Sequence, residues 1–182
     1  MADPGPGGPA VVFMCGPAGS GKTTVARRLE AGGHVRLSID EEAWNRGWRR
    51  QPLPDGVAAA IEDDLRRRLI GLVSAGADVV LDYSFWSRRM RDRYRRLLAP
   101  LGVVPVLVHL ATPRETALDR IRRRDGGDAN AVRLGDEVAA GYHDSFEPPE
   151  PGEGPVAVVR PGDDPGALPA ALAAARRAGP RR

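Results

Sequence analysis

An apolar run at residues 10–15 ends on Gly16-Pro17-Ala18-Gly19-Ser20-Gly21-Lys22-Thr23, and a helix-forming stretch follows from Lys22 to Ala31. This passage constrains the fold more than any other. Residues 10–15 are rich in β-formers and read as a buried strand. The glycines let the backbone wrap tightly, so several N–H groups can point into one concavity. The N-terminus of the following helix adds positive potential there. Together the residues match the phosphate-binding loop pattern G-x-x-x-x-G-K-[ST] in the strand–loop–helix context it requires. Gly16, Pro17, Ala18, Gly19, Ser20, Gly21, Lys22, Thr23 and Thr24 are the expected nucleotide-binding residues. Lys22 is expected at the terminal phosphates, and the Thr23 hydroxyl at Mg²⁺.

The remaining chain repeats the strand–helix alternation. Strands are expected at residues 34–39, 77–82, 103–110 and 156–160. Helices are expected at 41–50, 55–75 (capped by Asp55), 88–99 (capped by Ser87), 112–124, 134–143 and from 164 onward. Thr112, Pro113 and Glu115 form a helix start with threonine as cap and glutamate in the capping-box position. Alternation of this kind implies a mostly parallel sheet covered by helices on both faces, an α/β three-layer sandwich with five strands. Residues 1–9 read as a flexible tail, 10–178 as one domain with a small lid at about 120–134, and 179–182 as a C-terminal tail.

Composition enters through one residue. The 182-residue chain has a single lysine, Lys22, against twenty-six arginines. Arg-for-Lys bias with abundant Gly, Pro and Ala is what a GC-rich coding sequence produces. The surviving lysine is the one in the phosphate loop, where a flexible point charge fits better than a planar fork. One cysteine, Cys15, excludes an internal disulfide, and the N-terminal residues show neither a basic start nor an apolar core of a signal peptide. A cytoplasmic protein with no membrane association is the expectation. The net charge of +3 hides an arginine-rich stretch at residues 86–124, which suits anionic ligands or, alternatively, is a solvated helix face.

Two carboxylates and a set of arginines refine the site. Asp40 follows the second strand and Asp82 ends the third. Ligands in such sheets lie outside the carboxyl ends of strands. Asp40 is the candidate base toward an acceptor hydroxyl, or else a helix cap. Asp82 is the candidate Mg²⁺ residue with Thr23, or else a turn residue. Arg120 and Arg124, four apart on one helix face, could close over phosphates or be a basic helix end, with Arg123 and Arg133 as weaker candidates. Trp44, Trp48 and Trp86 fall after the second or third strand and could stack on a ring-bearing substrate or pack in the core. With Asp40, Asp82 and Arg88 they make up the expected acceptor contacts.

The loop from Gly16 to Thr23, Asp40, Leu81-Asp82-Tyr83-Ser84-Phe85-Trp86-Ser87-Arg88, residues 120–125 and Phe146-Glu147-Pro148-Pro149 resemble the P-loop kinases of the zeta-toxin, chloramphenicol phosphotransferase and polynucleotide-kinase grouping. The resemblance spans residues 11–160. It implies a five-stranded parallel sheet, Mg·ATP as donor, Asp40, Lys22, Arg120 and Arg124 as catalytic residues, and a hydroxyl-bearing acceptor. The expected activity is an ATP-dependent alcohol phosphotransferase acting on a small molecule such as an antibiotic or nucleoside-like natural product. The alternatives are a polynucleotide 5′-hydroxyl kinase, whose support is the arginine-rich stretch, and a nucleotide-binding, toxin-like regulator.

Overall fold

The computed structural model describes residues 8–124, 127, 129, 132 and 134–178. The tails expected at 1–9 and 179–182 therefore lie outside the described residues, apart from Gly8 and Pro9. Five strands, β1 (Val11–Cys15), β2 (Val35–Ser38), β3 (Val79–Asp82), β4 (Val106–Leu110) and β5 (Val156–Val159), form one parallel sheet in the order β2-β3-β1-β4-β5. Seven α-helices alternate with them among the described residues: α1 (Lys22–Ala31), α2 (Ile39–Asn45), α3 (Asp55–Ser74), α4 (Arg88–Leu98), α5 (Arg114–Arg122), α6 (Asp136–Asp144) and α7 (Leu168–Ala178).

Strand periodicity splits the core into two layers. On β1, Val11, Phe13 and Cys15 face α3 and α4, where Ile61, Leu65, Leu69, Tyr94 and Leu98 complete one cluster. Val12 and Met14 face α1 and α7 and pack with Val25, Leu29, Leu168 and Leu172. A central parallel strand must be apolar on both faces, and β1 is buried throughout. A third, smaller cluster of Leu118, Ile121 and Ala139 joins α5 to α6 beside Ala18 of the phosphate loop.

Several boundaries differ from the sequence expectation; α5 ends at Arg122, so Arg124 lies past the helix that carries Arg120 and the two do not share a helix face, and four further differences have a local reason. The second helix stops at Asn45 because Gly47 takes a left-handed φ of 89° and the Trp48 N–H turns back to the Ala43 carbonyl. Trp44 and Trp48 therefore do not share a helix face. Asp55 is the first residue of α3 and not its cap; Pro54 holds the cap position with no side-chain bond. β4 starts at Val106, because residues 99–101 form a 3₁₀ turn and Pro105 follows. Thr112 does not cap α5: Pro113 stands at the N-cap, and the Thr112 hydroxyl donates to the Ser20 carbonyl at 2.9 Å. Ser87 does cap α4, accepting from the Met90 N–H at 3.2 Å.

Candidate active site

The carboxyl ends of β1, β2 and β3 open into a cavity of about 760 Å³, within the usual range for small-molecule sites. Its floor is the phosphate loop. Gly19 adopts φ 76°, and a Cβ there would lie 2.2 Å from the Ala117 carbonyl oxygen, so only glycine lets the loop pass beneath α5. Gly21, at φ 99°, turns the chain into α1. The loop is tied at several points. The Gly16 N–H donates to the Ser84 carbonyl at 3.0 Å, Thr112 holds the Ser20 carbonyl, and Arg120 reaches the Gly19 and Ser20 carbonyls at 3.4 and 3.5 Å.

Lys22, Thr23, Asp40 and Asp82 all line this cavity. The Lys22 ammonium donates to the Pro17 carbonyl at 2.8 Å. Burial pushes its pKa down, while the nearby Asp82 and Asp40 pull it back up. The Thr23 hydroxyl donates to one Asp82 oxygen at 3.3 Å. Asp40 lies one residue inside α2, whose cap is Ser38, accepting from the Glu41 N–H at 3.3 Å. Asp40 is thereby released from capping, and its carboxylate accepts from the Gln51 side chain at 3.1 Å. Burial raises the Asp40 pKa above the ordinary carboxylate range; Lys22 opposes this and Asp82 adds to it. A carboxylate shifted this way is a stronger proton acceptor.

The second oxygen of Asp82 is held by a residue the sequence did not single out. Arg36, on the neighbouring strand β2, donates to Asp82 at 3.1 Å, to Glu30 of α1 at 3.0 Å and to Glu41 of α2 at 2.7 Å. Its side chain is buried, so one guanidinium ties the loop helix, the Asp40 helix and β3 together. Burial raises the Asp82 pKa, and Lys22, Thr23 and Arg36 oppose that shift.

A second buried arginine supports the opposite wall. Arg91 of α4, fully buried, makes a two-pronged pair with Glu153 at 2.7 and 2.8 Å and donates to the Phe85 and Glu147 carbonyls at 3.1 and 2.8 Å. Phe85 takes a left-handed φ of 41°, uncommon for a bulky residue, and stacks on Phe13 at 4.2 Å between ring centres. The turn at Phe85 carries Trp86 to the cavity rim. Burial alone would raise the Glu153 carboxyl, but hydrogen bonds from Arg91 and from the Glu150 N–H bring it to about 2.

The expected acceptor residues separate into two groups. Trp86, Asp40 and Asp82 line the cavity, joined by Ile39, Gln51, Leu53, Tyr83 and Tyr142. Trp44, Trp48 and Arg88 are not among its lining residues. Trp44 carries the Arg49 guanidinium over its ring at 3.9 Å, Trp48 lies beyond the end of α2, and Arg88 pairs with Glu150 at 2.9 Å. Of the lid arginines, Arg120 and Arg124 line the cavity, Arg124 also donating to the Val132 carbonyl at 3.3 Å. Arg123 pairs with Asp119 at 2.8 Å, and Arg133 lies outside the described residues.

Residues 11–149, which run from β1 through α6, match the family described as AAA domain, AAA_33. The chain belongs to this AAA-domain family. The AAA domain here also superposes on solved structures of similar size. A protein from Chloroflexus aurantiacus described as a putative kinase aligns with a TM-score of 0.72 and 20% identity over 94% of this chain and 98% of that one. A sugar kinase from Janibacter aligns at 0.66 with 22% identity over 88% and 90%. The APS kinase of Mycobacterium tuberculosis, solved in complex with AMPPNP and APS, aligns at 0.65 with 19% identity over 95% and 100%. These likenesses establish the α/β fold with a five-stranded parallel sheet. No curated protein sequence matches the chain. Among the described residues, no helix is long and apolar enough to cross a membrane.

Proposed function

We propose that this AAA-domain protein is an ATP-dependent kinase that transfers the γ-phosphate to a hydroxyl of a small molecule, with an antibiotic or nucleoside-like natural product as the acceptor class. The observation that carries this reading is the placement of Lys22 and Asp40 in one cavity that extends well past the phosphate loop, with the Asp40 pKa raised by desolvation inside that cavity. A nucleotide switch needs no second chamber; a transferase does.

The loop N–H groups and the α1 N-terminus hold the phosphates. Lys22 leaves the Pro17 carbonyl for the terminal phosphates. Asp40, held in place by Gln51, accepts the proton of the attacking hydroxyl. Arg120 and Arg124 neutralise charge on the transferring group. Thr23 and Asp82 would hold Mg²⁺: a hydroxyl and a carboxylate oxygen lie 3.3 Å apart, and phosphates and water would supply the remaining oxygens. When bound, the ion would neutralise phosphate charge.

ATP turnover against a panel of hydroxylated compounds tests this reading. Acceptor-stimulated ADP release that disappears in Asp40→Asn is the expected result. An Asp40→Asn variant as fast as the parent would contradict the base assignment. The polynucleotide alternative loses support at α4, where Arg88, Arg91, Arg93 and Arg95 are paired with acidic residues of this chain.

A further inference from the structure

The Asp82 carboxylate is held from both sides, and both holds lead back to one helix. One oxygen accepts from the Thr23 hydroxyl at 3.3 Å, and the other accepts from a terminal nitrogen of Arg36 at 3.1 Å. The Arg36 Nε in turn donates to Glu30 at 3.0 Å. Thr23 and Glu30 both belong to α1 and stand two turns apart on one face, about 10 Å along the axis. Asp82 and Arg36 thus span two points of the helix that follows the phosphate loop, and Thr23, Asp82, Arg36 and Glu30 close into a circuit.

The strands explain how the circuit forms. Arg36 of β2 is in register with Val80 of β3, and Ser38 with Asp82. Side chains alternate along a strand, so Arg36, Val80 and Asp82 share the sheet face on which Val80 packs with Val25 and Leu29 of α1. The Arg36 and Asp82 side chains are 3% and 2% exposed, so water does not compete for their bond. A guanidinium is planar and its donors are fixed relative to one another. Its third nitrogen is on Glu41 of α2 at 2.7 Å. With Glu30 and Glu41 carried by two helices, the remaining donor has its direction toward Asp82 set for it.

We propose that Arg36 is a positioning residue for metal binding: by holding one Asp82 oxygen it keeps the other turned to Thr23, so that the two oxygens receive Mg²⁺ together. Mg²⁺ demands near-ideal geometry from few protein ligands, and groups that orient a ligand commonly set metal affinity by about tenfold or more. The proposal rests on the reading of Thr23 and Asp82 as the Mg²⁺ residues. It extends that reading to a residue that is not among those lining the cavity.

The test uses a non-hydrolysable ATP analogue titrated calorimetrically into the full chain, once in EDTA and once in saturating Mg²⁺. The readout is the ratio of the two dissociation constants. A packing defect alone weakens both and leaves the ratio unchanged. Arg36→Gln should lower the ratio about tenfold, toward one. Arg36→Lys keeps the charge but not the three-way fork, so it should fold and lose a similar factor. In an Asp82→Asn background, Arg36→Gln should lower the ratio no further, because Arg36 acts through Asp82. A parent-like ratio in Arg36→Gln or Arg36→Lys, or a further fall in the double variant, overturns the proposal while the Mg²⁺ reading stands. A ratio near one in the parent contradicts the Mg²⁺ reading itself and takes the proposal with it.

Discussion

The two buried arginines, Arg36 and Arg91, make an informative pair. Both are enclosed by protein, and both bind carboxylates from other segments. Arg36 sits within the nucleotide half and is shared among three acids, one of which, Asp82, is a functional candidate. Arg91 serves one acid, Glu153, and two backbone carbonyls, and never reaches the cavity. The first acts on a side chain of the site directly. The second fixes a loop, and through Phe85 it aims Trp86. The phosphate loop and α1 are one contiguous stretch, tied from outside by Ser84, Thr112 and Arg120 and clamped through Asp82 by Arg36. The wall that carries Trp86 is assembled from distant segments, and a buried ion pair braces it.

Breaking the chemistry that joins the halves should give the largest effect. Asp40→Asn should lower acceptor-dependent turnover about a hundred- to ten-thousand-fold, measured by ADP release, with folding retained by circular dichroism. Breaking the acceptor wall comes next. Arg91→Met strips buried Glu153 of its two-pronged partner, leaving it Arg95 at 3.4 Å and the Glu150 N–H, and should cost about 3 kcal/mol in urea unfolding, whereas pairing it with Glu153→Leu should recover most of that loss. Within the nucleotide half, Lys22→Arg should slow turnover about a hundredfold while the melting temperature stays near the parent's. The smallest effect belongs to Thr112→Val, which removes one hydrogen bond to the Ser20 carbonyl and should cost about 1 kcal/mol by the same unfolding assay.

The same comparison has a pH signature. Glu153 is more acidic in the folded chain than in the unfolded one, with a folded value of about 2. Its pair with Arg91 therefore contributes stability fully above about pH 4.5, the ordinary glutamate value, and that contribution is lost as pH falls toward 2. Urea midpoints between pH 5 and pH 2 should fall more steeply for the parent than for the Arg91→Met/Glu153→Leu pair. Parallel slopes would show that Glu153 is not the group responsible.

The parts that were legible in the sequence are the local ones. The strand, the glycine loop and α1 are one continuous stretch, and Ser87 caps the helix that starts immediately after it. The parallel sheet followed from alternation alone. Asp40 and Asp82 could be placed because strand ends in such a sheet converge on one edge. What was not legible depends on pairing at a distance. Arg36 meets Asp82 across 46 residues and Arg91 meets Glu153 across 62, and nothing near either arginine in the sequence announces its partner. Thr112 departs from its expected capping role for a related reason. As a cap its hydroxyl would accept from an N–H of the helix it precedes; in the fold it donates instead to the Ser20 carbonyl of the loop it lies against. The tryptophans show the limit of proximity arguments: Gly47 ends α2 early and takes Trp48 off the helix, while the turn at Phe85 delivers Trp86 to the rim.

The central claim is that the cavity moves a phosphoryl group from ATP to an alcohol. It is tested most directly by following the γ-phosphate of labelled ATP in the presence of a panel of hydroxylated compounds. The account predicts that label appears covalently on an acceptor oxygen, and that this product is lost in Asp40→Asn. Label recovered solely as inorganic phosphate across the panel, at equal rates in the parent and in Asp40→Asn, would contradict it.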